Sequence, residues 1–134
     1  YKNPVSALDL GATIVSLSGA VVSKDKPLDG VNLMTFFNGE NKSKPHDTIY
    51  LRQFDRNRFA VRNGNEKIII PWKGAAPQLY DLSNDIAEEN DLAKERPERV
   101  QEIDELRKKW NKQLIEPTFL GLIHSPGWAK RKRK

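Results

Sequence analysis

Across residues 5–17 the apolar positions recur at helical spacing: Leu8, Ala12 and Val15 fall on one stripe, and Leu10, Ile14 and Leu17 broaden it. Ser6, with Asp9 three residues on, has the form of a capping box in which Asp stands for the usual Glu. Gly19 follows the last periodic residue, where a left-handed cap belongs. A helix apolar over so wide an arc needs cover on more than one side. Residues 21–47 offer little: Lys24-Asp25-Lys26-Pro27 is a polar turn, the apolar stretch 31–37 predicts one short helix closed by Asn38-Gly39, and 41–47 is polar loop.

The pattern then changes. Residues 48–54 are rich in β-formers, 58–62 contain Phe59-Ala60-Val61, 67–70 form a short buried run, and 78–82 follow the loop 71–77. Between the second and third strands Asn63-Gly64-Asn65 is a hairpin signal, because Asn and Gly tolerate positive φ. A last helix is predicted over 97–116. Pro97 suits its first turn, Val100, Ile103, Leu106, Trp110 and Leu114 form its apolar stripe, and Pro117 stops it. Acidic residues lead and basic ones trail, as the helix dipole favours. These elements predict an α+β arrangement: a small antiparallel sheet of about four strands, covered by a carboxy-terminal amphipathic helix.

Composition narrows this only a little. The chain has 134 residues, about one domain's length, with 37% hydrophobic and 31% charged residues, the balance of a soluble globular protein. No apolar run approaches the roughly 18–20 residues of a membrane span. The opening Tyr1-Lys2-Asn3-Pro4 has neither an initiator Met nor a signal peptide, as suits a mature protein, an engineered boundary or a fragment. The net charge of +5 resides in the terminal run Lys130-Arg131-Lys132-Arg133-Lys134, behind Pro126-Gly127-Trp128, so the rest of the chain is neutral. A solvated tail is the plain reading and a polyanion-binding or localisation patch the alternative; nucleic acid is not expected, since its binders carry their basic stripe on the folded surface. With no cysteine, disulfides, thiolate metal sites and cysteine nucleophiles are excluded.

Catalytic patterns fail in turn. Gly11, Gly19 and Gly30 are too scattered for a phosphate loop. His46 and His124 lie in Pro-flanked loops without a second ligand at metal spacing and read as ordinary surface residues. Ser125-Pro126 lacks a nucleophile-elbow context. The acids Asp81, Asp85, Glu88, Glu89 and Asp91 lack the EF-hand spacing and fit an acid-rich turn. One set of residues stays in play: Arg52, Arg56, Arg58, Trp72 and Lys73 lie in or beside the turns of the sheet. Cations beside an indole suit an anionic or sugar-like ligand, and equally a solvated sheet edge. From these, Arg52, Arg56, Trp72 and Lys73 are taken as candidate substrate-binding residues.

The order of several motifs resembles the final third of arylsulfatase-like enzymes, within the alkaline phosphatase superfamily. They are Pro4-Val5-Ser6-Ala7-Leu8-Asp9-Leu10, Leu28-Asp29-Gly30-Val31-Asn32-Leu33, Pro45-His46-Asp47-Thr48-Ile49-Tyr50, Ala60-Val61-Arg62-Asn63-Gly64 and Gln78-Leu79-Tyr80-Asp81-Leu82-Ser83-Asn84-Asp85. Glu88, Leu92-Ala93 and the closing helix fit as well, so the likeness spans residues 4–116. Departures are Gly11-Ala12 where an apolar residue and Pro are usual, Glu66 in place of Trp, Ile86 in place of Pro and Asp91 in place of Asn.

The resemblance implies that residues 1–20 are the last helix of an α/β sulfatase catalytic domain, 21–45 a connector with a short helix, 46–120 the carboxy-terminal subdomain and 121–134 a basic tail. It implies a hydrolase of sulfate esters whose formylglycine nucleophile, calcium and catalytic side chains lie upstream of this region. No catalytic or metal residue is therefore assigned here, and the chain by itself is expected to be inactive. The expected partners are the missing amino-terminal catalytic domain and, in the parent, an aryl or carbohydrate sulfate; no membrane partner is expected. The family implies a periplasmic, secreted or lysosomal parent. The alternative is a stand-alone binding module, polyanion-binding through the basic tail.

Overall fold

The structure, a computed structural model, describes residues 1–118 and 121. His124, read above as an ordinary surface residue, Ser125 and the basic run 130–134 lie outside the described residues. By its internal contacts the chain divides into two units, Tyr1–Ile49 and Tyr50–Lys134.

In the first unit helix α1 (Ala7–Leu17) begins at the expected capping box: the Ser6 hydroxyl accepts from the Leu8 amide, and the Asp9 carboxylate accepts from the Ser6 amide. Ser18 is the C-cap, and Gly19 takes φ +72° beyond it. The expected stripe of Leu8, Ala12 and Val15 is corrected by the packing. The buried residues are Asp9, Ala12 and Thr13, while Leu8, Leu10, Ile14 and Leu17 stay 58–66% exposed. The cause is the segment that returns alongside the helix. Val31 donates its amide to Asp9 Oδ1, and Leu33 donates its amide to Thr13 Oγ1, which itself donates to the Asp9 carbonyl. Gly30 makes this approach feasible, because a Cβ there would overlap the Leu8 carbonyl oxygen. Helix α2 (Met34–Phe37) is the predicted short helix, followed by Gly39 at φ +81°.

Strands β1 (Thr48–Gln53), β2 (Arg58–Asn63), β3 (Glu66–Ile70) and β4 (Gln78–Asp81) form one antiparallel sheet in the order β1-β2-β3-β4. The unit boundary falls within β1. A 3-10 turn (Phe54–Arg56) joins the first two strands, with Asn57 left-handed at φ 49°. Between β2 and β3 Asn63 pairs with Glu66, and Gly64 alone takes the positive φ at +61°, the arrangement of a two-residue turn with Gly first.

Cross-strand partners share a face, so the register Val61↔Ile68↔Leu79 sets three fully buried side chains in a row. Helix α3 (Pro97–Asn111) lays Ile103 onto them, with Val100, Leu92, Ala93 and Tyr50 at the margin. Trp110 stacks on Tyr50 at a ring separation of 4.9 Å, and the Arg107 guanidinium sits 4.6 Å from the Phe59 ring centre. The helix stops at Asn111, not at 116. Leu114 and Ile115 are exposed at 37% and 91%, so a further turn would order residues without burying them. Among the described residues no helix is long and apolar enough to cross a membrane.

Candidate functional site

Antiparallel pairing gathers the chemistry-bearing loops of the second unit at one end of the sheet. Phe59 lies opposite Ile70 and Ile69 opposite Gln78, so the start of β2, the end of β3 and the start of β4 meet there. The turn of residues 54–57 and the loop 71–77 therefore share that end. A groove of about 470 Å³ opens among Arg52, Arg58, Phe59, Ala60, Ile69 and Pro71. The Arg52 guanidinium lies 4.7 Å from the Phe54 ring centre, which fixes the cation beside the groove. Trp72 follows Pro71 and is 61% exposed, and Lys73 next to it is exposed as well. Gly74 at φ +84° and the bond from the Ala75 amide to the Trp72 carbonyl turn the chain back at this tip. Arg52 and Arg58 thus line the groove, Trp72 and Lys73 adjoin it through Pro71, and Arg56 is exposed in the turn without lining it.

A second polar centre lies in the first unit, where sequence reasoning saw an ordinary surface histidine. His46 is largely buried, and its Nε2 stands 2.9 Å and 2.8 Å from Asp9 Oδ1 and Oδ2. Burial of Asp9 pushes its carboxyl up. Hydrogen bonds from the Ser6 and Val31 amides and from His46 outweigh this and hold it below the ordinary aspartate value. An ionised carboxylate only accepts, so Nε2 carries the proton. The pairing spans 37 positions of sequence. Its one local signal, the spacing of Ser6 and Asp9, was already explained by capping.

The acid-rich turn is a set of backbone caps. Asp81 accepts from the Ser83 hydroxyl and amide, Asp85 from the Glu89 and Asn90 amides, and Asp91 from the Leu79 and Ala93 amides. These bonds hold the Asp81 and Asp85 carboxyls below their ordinary range. Glu88, at φ 58°, pairs with Lys67 at 2.6 Å. Among the described residues no three His, Cys, Asp or Glu side chains gather as a metal site.

Comparison with known proteins places this sheet-and-helix arrangement. No family model matches the chain. It is 30% identical over 115 residues to an N-acetylgalactosamine-6-O-sulfatase of Bacteroides thetaiotaomicron, a match over 75% of this chain and 22% of that protein. Among solved structures it superposes on Ps i-CgsB with a TM-score of 0.74 and 26% identity, over 98% of this chain and 29% of that one. A 2-O GAG sulfatase, BT1596, shares the fold at a TM-score of 0.60 and 23% identity, over 75% of this chain and 23% of that one. The α+β architecture is that of a sulfatase carboxy-terminal subdomain. The chain is similar to the carboxy-terminal portion of larger sulfatases. It spans between 22% and 29% of the length of these relatives.

Proposed function

We propose that this chain is the carboxy-terminal part of a sulfate-ester hydrolase, completing the fold of a catalytic domain that supplies the nucleophile and the calcium ion. The observation that carries this reading is the exposed apolar surface of helix α1. Its polar residues Asp9 and Thr13 are buried, and Leu8, Leu10, Ile14 and Leu17 face outward without a charge among them. A helix in a finished protein turns its apolar stripe inward, and contiguous exposed apolar surface of this kind marks a contact. The upstream sulfatase domain is the occupant that the partial match to longer relatives favours.

The end of the sheet bearing Arg52, Arg58, Trp72 and Lys73 is proposed to line the substrate cleft of the parent, with Arg56 at its rim. Guanidinium groups bind sulfate oxygens through charge-assisted, bidentate hydrogen bonds, and an exposed indole stacks on a sugar ring. A sulfated carbohydrate is therefore the proposed substrate class. Ps i-CgsB has been solved in complex with k-i-k-neocarrahexaose, which agrees with a saccharide ligand. By the family resemblance the parent would work in the periplasm, outside the cell or in a lysosome.

The test is direct. The purified chain with added calcium should turn over no aryl sulfate, whereas the same chain joined to a sulfatase catalytic domain should support turnover. Hydrolysis by the isolated chain would sink the proposal. In the joined protein Arg52→Ala and Trp72→Ala should raise KM for a sulfated saccharide more than they lower kcat.

A further inference from the structure

The chain contains two Asn-Gly pairs, and their surroundings differ in a way that bears on their chemistry. In Asn-Gly the backbone nitrogen of Gly can attack the Asn side-chain carbonyl carbon. The new C–N bond closes a succinimide ring, and the side-chain nitrogen leaves as ammonia with the proton lost from the Gly amide. Water then opens the ring at either carbonyl to give aspartate or isoaspartate. Only water is consumed. The reaction needs a following residue without a side chain and a backbone free to rotate into the attacking geometry.

Asn38-Gly39 meets the first need, and its backbone is restrained only by the end of a short helix, where the Asn38 amide donates to the Met34 carbonyl at 3.0 Å and the Asn41 amide to the Thr35 carbonyl at 2.7 Å. Asn38 is exposed and caps α2, a helix of only four residues whose isolated stability is small. Gly39 sits at φ +81° with open space where a Cβ would point. The Asn38 Oδ1 accepts the Glu40 amide at 3.1 Å, a single local bond that folds the side chain back along the following backbone.

Asn63-Gly64 is held in place. Asn63 closes the β2–β3 ladder opposite Glu66, and its Oδ1 accepts from the Arg99 guanidinium at 2.6 Å. The same Arg99 is bound to Glu66 and Glu102. Rotation at Asn63 would have to break the ladder's end and this ion cluster together, so its reaction waits on a larger opening of the fold.

We propose that Asn38 is a site of spontaneous deamidation in the folded protein, and that Arg99 protects Asn63 from the same reaction. The product would place a carboxylate or a lengthened backbone at the carboxy-terminal end of α2, where the helix dipole disfavours negative charge.

Peptide mass spectrometry after incubation at mildly alkaline pH tests this on the full chain, with isoaspartate as the signature. Conversion at Asn38 should exceed that at Asn63 by roughly tenfold or more while the protein is folded, and the two should converge in urea. Gly39→Ala should suppress the first site, and Arg99→Ala should speed the second without changing the first. Equal conversion of both sites in the folded chain, or faster conversion of Asn63, would overturn the proposal. So would an Asn38 that converts only in urea. Circular dichroism on each variant confirms that folded chains are being compared.

Discussion

At the residue scale, Asp9 joins parts of the chain that sequence proximity does not. It accepts from Ser6, Val31 and His46, so one carboxylate pins the start of α1, the returning segment and the approach to β1. Asp9→Ala should destabilise the first unit by about 1–3 kcal/mol for each donor left unpaired in the interior, read from denaturant melts. Because the folded-state pKa of Asp9 is held below its unfolded value, its contribution is present at neutral pH. It is lost as pH falls through the lowered carboxylate pKa. Hydrogen exchange at the Val31 amide should therefore gain an acid-triggered opening that Asp9→Asn lacks. Gly30→Ala places a methyl group against the Leu8 carbonyl and should disrupt this unit at least as severely, with loss of protection at Val31 and Leu33.

At the element scale, α3 and the sheet depend on one another. Ile103→Ala empties the position that meets Val61, Ile68 and Leu79, and should cost about 2–5 kcal/mol in urea unfolding. Leu114→Ala should cost only a few tenths of a kcal/mol, since that residue lies beyond the helix and is partly exposed. The contrast separates the observed helix end from the one that periodicity suggested. The carboxy-terminal edge of this architecture is also guarded. Asp91 caps the Leu79 amide and Leu92 donates to the Leu79 carbonyl, so the central residue of β4 offers its outer polar groups to the chain itself.

At the scale of the whole molecule, the distribution of apolar surface is the feature to test. Ile14 and Leu17 are each 66% exposed, so replacing both by Lys should leave the melting temperature of the isolated chain nearly unchanged. The same change should abolish binding of a hydrophobic dye and any self-association, and should block assembly with a sulfatase catalytic domain. A large loss of melting temperature would mean that these side chains already support the isolated fold, contrary to the proposed contact.

What the sequence alone determined is what local rules control. The capping box at Ser6 and Asp9, the Gly-led hairpin at Gly64, the four strands and the Pro97 helix start depend on φ preferences and periodicity within a few residues. The ordered motifs carried the family for the same reason, since their spacing is read along the chain. The Arg and Trp candidates were legible as residue types, but only strand pairing brought the ends of β1, β2 and β3 around one groove. Tertiary structure alone decided which side of α1 is inside. An amphipathic pattern assumes that apolar area dominates burial, but here the amides of Val31 and Leu33 and the ring of His46 needed acceptors, and Asp9 and Thr13 supplied them. Those partners are 20 to 37 positions away, and no periodicity reaches so far.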